Sequence, residues 1–216
     1  MKKIITSLFL CLLLAPVFGQ GVKFGILLEP TISWLRSDIP AVKREKARLG
    51  INIGLAVDYY FASNYAFASG ISLFFTGGTL SYENGTTLKA KGDTDGTVSP
   101  GGNVLYKLQY LKIPLGLKLR THQIGRFRYF ADLGLDPMIK ILARANYESF
   151  DNVGIGKSIK GMALGYHIGG GMKYSLGGDA SLIFGLTYMN IFTDITSDSK
   201  DRISSNNLVI RFGVSF

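Results

Sequence analysis

The stretch Leu208-Val209-Ile210-Arg211-Phe212-Gly213-Val214-Ser215-Phe216 decides the fold. Leu208, Ile210, Phe212, Val214 and Phe216 share one face of an extended chain; Val209, Arg211, Gly213 and Ser215 share the other. Alternation with period two marks a strand with one apolar and one polar face. Working back along the chain, the same pattern recurs at about 22–35, 48–61, 65–77, 107–120, 128–144, 162–176 and 180–190. Pro114 and Pro137 fall inside the 107–120 and 128–144 stretches; each lacks an amide donor and marks a bulge or kink.

The composition of the two faces decides which one points inward. Here the polar face carries glycines and isolated charges, a mixture suited to a narrow eight-stranded interior filled by side chains. A solvent-facing surface gains nothing from so many glycines, since each weakens its strand. The chain has 27 glycines and is 47% hydrophobic, yet past its N-terminus it has no run of the ~20 apolar residues that a spanning helix needs. The expected fold is therefore all-β: an eight-stranded antiparallel up-and-down transmembrane β-barrel, apolar face to lipid and polar face to the lumen. A soluble lipocalin-like carrier is the competing reading, and it requires the opposite face inward.

Connection lengths bear on orientation. Short links at 62–64, 121–127 and 177–179 alternate with long ones at 36–47, 78–106, 145–161 and 191–207. Outer-membrane barrels have short periplasmic turns and longer extracellular loops. Both termini are then periplasmic and the four longer loops extracellular. Aromatics fall at strand ends, with Tyr59, Phe61, Tyr65, Phe67, Tyr129, Tyr174 and Phe216 at one border and Trp34, Phe75, Tyr166 and Tyr188 at the other.

The N-terminus reads as an export signal. Lys2 and Lys3 precede the apolar run Ile4–Leu14, and Val17 and Gly19 supply small residues for cleavage before Gln20. The domains are thus a signal peptide over 1–19 and a barrel over 20–216. The single cysteine, Cys11, lies within the signal, so the mature chain has no thiol chemistry.

Twelve charged residues are expected to face the lumen: Lys23, Glu29, Asp58, Lys112, Lys118, Arg120, Asp132, Asp136, Lys140, Arg144, Lys173 and Arg211. Both signs are present, and a buried charge needs a partner, so a structural salt-bridge network is expected. Of the two histidines, His122 falls in a short turn and His167 faces the lumen beside glycines. No Ser/His/Asp set can be assembled from spacing, and two histidines without a mature cysteine give no metal site. The expectation is a non-enzymatic barrel without catalytic residues, cofactor or metal. A lipid-modifying barrel enzyme is the alternative and requires a Ser or His with a matching acid near an outer rim.

The formal charge is +9, but the basic residues fall singly within strands rather than on one face, so no nucleic-acid partner is expected. The first long connection is different. Arg36, Lys43, Arg44, Lys46 and Arg48 outnumber Asp38 and Glu45, and such cations pair with lipopolysaccharide phosphates. Expected partners are outer-membrane lipid and lipopolysaccharide, with the protein a monomer.

The segment Tyr110-Leu111-Lys112-Ile113-Pro114-Leu115-Gly116-Leu117-Lys118 resembles the YL-x-IPL strand of the PorT-like outer-membrane β-barrel proteins of Bacteroidota. The likeness extends over the mature chain in strand count, the glycine-rich sixth strand and the C-terminal Phe216. The general plan is also similar to OmpA/OmpX-type barrels. The resemblance implies an outer-membrane barrel domain; the function expected of the chain is structural or interactive, through membrane integrity, surface contact by the four loops, or support of a secretion complex. One branch of that family is associated with protein export by the type IX secretion system. No motif here singles out that branch, so a secretion complex stays an open partner. The C-terminal alternation resembles the signal read by the barrel-assembly machinery, which implies a transient partner during biogenesis.

Overall fold

The computed structural model describes residues 21–89, 96–197 and 201–216; the expected signal peptide, with Cys11, lies outside them. The strands are β1 (Val22–Ser37), β2 (Val42–Ala62), β3 (Tyr65–Tyr82), β4 (Thr86–Leu88), β5 (Gly96–Val98), β6 (Gly102–Lys112), β7 (Leu115–Arg120), β8 (Phe127–Tyr147), β9 (Phe150–Gly154), β10 (Met162–Gly177), β11 (Ala180–Ile191) and β12 (Ile203–Ser215). Strands β6 and β7 are two halves of one stave, since both lie between β3 and β8. The order β10-β11-β12-β1-β2-β3-β6/β7-β8 closes through β8–β10 pairing, giving a ring of eight antiparallel staves.

The faces are distributed as a membrane barrel requires. Each stave exposes an aliphatic residue outward: Ile26, Leu55, Leu73, Leu117, Leu133, Ile168, Leu186 and Ile210. Each also buries a polar one inward: Glu29, Asn52, Ser72, Lys118, Asp132, His167, Thr187 and Asn207. The lipocalin-like reading, which needs these faces exchanged, is ruled out by this burial pattern. Aromatics border the apolar band at the end with the short turns. There Tyr59, Phe61, Tyr65, Phe67 and Tyr129 are exposed, and the Phe61 and Phe67 rings lie 4.7 Å apart.

At that turn end the links are 63–64, 121–126 and 178–179. At the opposite, loop end the first connection differs from expectation. It spans only 38–41, because β1 runs on to Ser37 and β2 begins at Val42. The basic residues expected in a loop therefore stand on strands, with Lys43 paired to Ser81 and Arg44 to Leu80. Apolar alternation stops there, yet backbone pairing continues, with register shifts after Arg44 and Ala47. The second connection carries the small β4–β5 hairpin, and the third carries β9, which pairs with β8.

Pro114 and Pro137 share one defect. Pro114 interrupts the stave between β6 and β7, and Pro137 lies across from Ile113. The Ile113 amide donates to the Pro137 carbonyl at 3.0 Å, but Pro137 has no amide to give back. A third proline, Pro30 of β1, lies where the β1–β12 register passes from Leu28 to Thr31 without a paired residue between.

A charge placed on the lipid face gives a direct check of this orientation. Leu133→Arg, on the exposed face of β8, is expected to destabilise the barrel folded in bilayers by about 2–4 kcal/mol, measured by urea titration. An unchanged unfolding free energy would mean that this face does not meet lipid.

Candidate functional site

The candidate site is the interior, built in layers along the barrel axis. Nearest the turn end, Asp58 of β2 accepts from Lys118 Nζ of β7 at 2.5 Å and from Lys173 Nζ of β10 at 3.3 Å. Lys118 also lies 5.6 Å from the Phe130 ring centroid. Next, Arg211 of β12 bridges two carboxylates. Its Nε donates to Glu29 Oε1 at 2.9 Å and its Nη1 to Asp132 Oδ2 at 2.5 Å. A planar guanidinium suits this role because its donors have a fixed fork geometry. His167 Nδ1 then meets Asp136 Oδ2 at 2.9 Å, and Lys112 Nζ lies 5.0 Å from the Phe74 ring centroid.

Glycines make these layers possible. The cross-strand register sets Gly185 opposite Arg211, Gly169 opposite Asp132, Gly165 opposite Asp136 and Gly134 opposite His167. A Cβ on Gly134 would come within 2.9 Å of the His167 ring, and one on Gly169 within 2.6 Å of Asp132 Oδ1. The His167 ring and the Asp132 carboxylate thus lie over positions that have no side chain.

Above the charges comes a layer of amides and hydroxyls. Asn52 Nδ2 donates to Thr31 Oγ1 at 2.6 Å, and Asn52 Oδ1 accepts from the Phe75 amide at 2.8 Å. Thr76 Oγ1 lies 2.7 Å from both Ser205 Oγ and Asn207 Oδ1. Beyond them the interior turns apolar. Leu35, Phe74, Leu80, Tyr106, Leu108, Tyr110, Met138, Met189 and Ile191 form one buried cluster with Ile155 and Ile159 of the third connection. The Tyr82 and Tyr106 hydroxyls meet within it at 2.6 Å. Cavities of about 20 and 50 Å³ lie beside the charged layers, room for a few waters.

At the loop end the last connection is tied down by Asp194. Its carboxylate accepts from Lys160 Nζ at 2.5 Å and from the amides of Thr196 and Ile203, both at 3.1 Å. Burial raises its pKa, but these hydrogen bonds outweigh burial and hold the group below its ordinary value. A cavity of about 570 Å³ opens here, walled by Tyr82, Leu88, Tyr106 and Ile203, with Lys89 and Lys157 on its lining.

The twelve residues expected in the lumen do not all gather there. Glu29, Asp58, Lys118, Asp132, Lys173 and Arg211 form the ion-pair layers, while Asp136 pairs with His167 and Lys112 packs against Phe74. Lys23 sits at the turn-end rim, bonded to Asp179 at 2.6 Å. Arg120 is also at that rim, its guanidinium 3.5 Å from the Tyr60 ring centroid and its Nε donating to the Ser63 carbonyl. Lys140 donates to the Gly156 and Ile159 carbonyls of the third connection rather than to a carboxylate. Arg144 departs from expectation. The register slips between Gln109 and Tyr110, where β8 has one extra residue near Ile141, so beyond it Ala143 and Ala145 face inward and Arg144 is exposed.

Sequence reasoning missed the apolar cluster, although a signal was present. Val104, Tyr106, Leu108 and Tyr110 are apolar at even positions, whereas Leu111 to Leu119 are apolar at odd ones. That change of parity marks where the interior switches from charged to apolar.

Of the basic residues set against lipopolysaccharide, Lys43 is paired with Glu83, and Arg48 Nη1 donates to the Thr76 carbonyl at 2.7 Å. Arg36, Arg44 and Lys46 are exposed. Among the described residues no hydroxyl is hydrogen-bonded to His167, and no group of three or more His, Cys, Asp or Glu side chains could hold a metal ion. His122 is exposed in the 121–126 turn.

Residues 18–208 match the family model described as outer membrane protein beta-barrel domain. No curated protein matches the sequence. Among solved structures, OprG of Pseudomonas aeruginosa superposes with a TM-score of 0.51 at 14% identity, over 91% of this chain and 96% of that one. The Neisserial surface protein A (NspA) superposes at 0.49 with 13% identity, covering 91% and 98% of the two chains. Ail of Yersinia pestis gives 0.44 at 14% identity, over 92% and 100%. At 14% identity the likeness to OprG is one of fold.

Asp58 offers a test of the lowest ion-pair layer. Asp58→Asn leaves two buried ammonium groups without a counter-charge and is expected to destabilise the barrel by about 3–5 kcal/mol. Adding Lys118→Met should recover part of that loss. The readout is the urea midpoint of the form that resists detergent until boiled. Equal midpoints for wild type and Asp58→Asn would show that the layer contributes nothing.

Proposed function

The chain belongs to the outer membrane protein beta-barrel domain family, and on that footing we propose a non-conducting, non-enzymatic barrel acting through contacts at its loop end. The observation that carries this reading is the filled interior, with charged layers, then amides and hydroxyls, then an apolar cluster. An eight-stranded ring is just wide enough for side chains to fill it, and here they do. Catalysis is disfavoured by where the histidines lie. His167 is enclosed against Asp136, out of reach of a lipid substrate, and His122 stands alone in a turn.

The loop end supports the contact role. Strands β1, β2 and β3 continue into it, β9 adds to β8, and an apolar cluster underlies them. A body of this kind can present a fixed surface. The asymmetry of the connections favours an orientation with the turn end and both termini in the periplasm and the hairpins outside. Arg36, Lys43, Arg44 and Lys46 would then meet lipopolysaccharide phosphates, with Arg48 behind them on the Thr76 carbonyl. Within the family, the Tyr110–Lys118 segment favours the PorT-like branch, and a role beside a secretion complex is consistent with a contact surface of this kind.

Two measurements test the reading. Purified barrel added to a planar bilayer is expected to give no steps above background; sustained single-channel steps would refute the filled interior. A variant with Arg36, Lys43, Arg44 and Lys46 changed to Gln is expected to bind lipopolysaccharide vesicles more weakly, most clearly at low salt. Identical binding would remove lipopolysaccharide as the partner of this surface.

A further inference from the structure

The turn-end mouth holds a second feature that the filled interior does not explain. A cavity of about 160 Å³ opens there, lined by Lys23, Arg120, Arg126, Arg128 and Lys173, with Asp179 as its one carboxylate. Asp179 is already bonded to Lys23. Asp58 lies deeper, and Lys173 shares it with Lys118 as the more distant of the two lysines. Among the described residues, Arg120, Arg126 and Arg128 are in no ion pair, their hydrogen bonds going to a carbonyl, a phenol and an amide.

Two observations set this mouth apart from a merely basic rim. Arg128 and Lys173 stand directly opposite each other across the β8–β10 pair, an arrangement of like charges that costs stability unless something neutralises it. In addition, Arg128 Nε is buried and has no hydrogen-bond partner among the described residues. A buried donor without an acceptor is rare in folded proteins, and a charged donor costs more to leave so than a neutral one. Ser175, Ser181 and Ser215 add hydroxyl donors on the same wall.

We propose that this mouth binds an oxyanion of the phosphate class, seated between Arg128, Arg126 and Lys173. The guanidinium forks match the paired oxygens of such a group. The cavity has room for a phosphate with part of its hydration, on the scale of ~30 Å³ per water. The site lies on the lumen side of the wall, so the phosphate belongs to a soluble ligand or to a lipid headgroup that reaches over the rim.

The test uses the whole barrel refolded in phosphatidylcholine vesicles and titrated with inorganic phosphate at constant ionic strength, followed by calorimetry. Saturable binding is expected, weakened by about tenfold in Arg128→Gln, the change produced by losing one charge-assisted hydrogen bond. Arg126→Gln, in the exposed turn, should weaken it too and serves if Arg128→Gln does not fold. Lys107→Gln, at the loop end and outside both basic surfaces, where Lys107 Nζ donates to Asn152 Oδ1, should leave it unchanged. A repeat in vesicles containing phosphatidylglycerol separates the sources: competition assigns the headgroup, and undiminished phosphate binding assigns a soluble ligand. Absence of saturable binding, or equal affinity in wild type and both arginine variants, would overturn the site.

Discussion

A strand in hydrocarbon has no water to satisfy its edge, so every amide and carbonyl must find a partner within the sheet. In this chain the requirement is met by the β8–β10 pairing, thirteen residues long, which turns an open sheet into a ring. Closure at eight staves fixes the interior width, and that width dictates what the inward face can hold. Long side chains cross it most readily where their neighbours are small. Hence the pairing of Arg211 with Gly185, Asp132 with Gly169 and His167 with Gly134 across adjacent strands. Glycine weakens a strand, but here the ring supplies the order that the glycines give up.

Two solvents act on the same strands. In β3, Ile71 and Leu73 face lipid while Ser72 faces in; a few residues further on, Thr79 and Ser81 face out while Leu80 and Tyr82 are buried. The chain obeys membrane rules over one part of its length and soluble-barrel rules over the next. The crossover coincides with the amide and hydroxyl layer around Asn52, Thr76 and Asn207, which separates the charges from the apolar cluster. Extension of the strands past the bilayer thereby gives the loop end a core of its own.

What the sequence made legible follows from this physics. The Leu208–Phe216 and Leu111–Leu119 alternations fixed both strand class and facing, because lipid punishes a polar residue on the outer face. Beyond the bilayer that selection ends, so the Arg36–Arg48 segment loses its apolar period while keeping its backbone pairing, and reads as loop. Arg144 was placed on the wrong face because one extra residue near Ile141 shifts the phase of all that follows, and a bulge leaves no compositional mark. The partnership of His167 with Asp136, or of Arg211 with Glu29, depends on register between staves far apart in sequence, which no single strand encodes.

Register is also what the charged layers protect. A buried ion pair adds little net stability over a well-packed apolar substitute. An apolar lumen, however, would give each strand two equivalent faces, and a slip by one residue would then exchange them at small cost. With Asp58, Lys118, Asp132 and Arg211 on the inner face, the same slip moves ionised groups into lipid and strips their partners of counter-charge. The penalty for a basic residue at the bilayer midplane is about 2–4 kcal/mol, and several charges would incur it together. The alternation that identifies the barrel in the sequence is thus also the device that selects one register among its near neighbours.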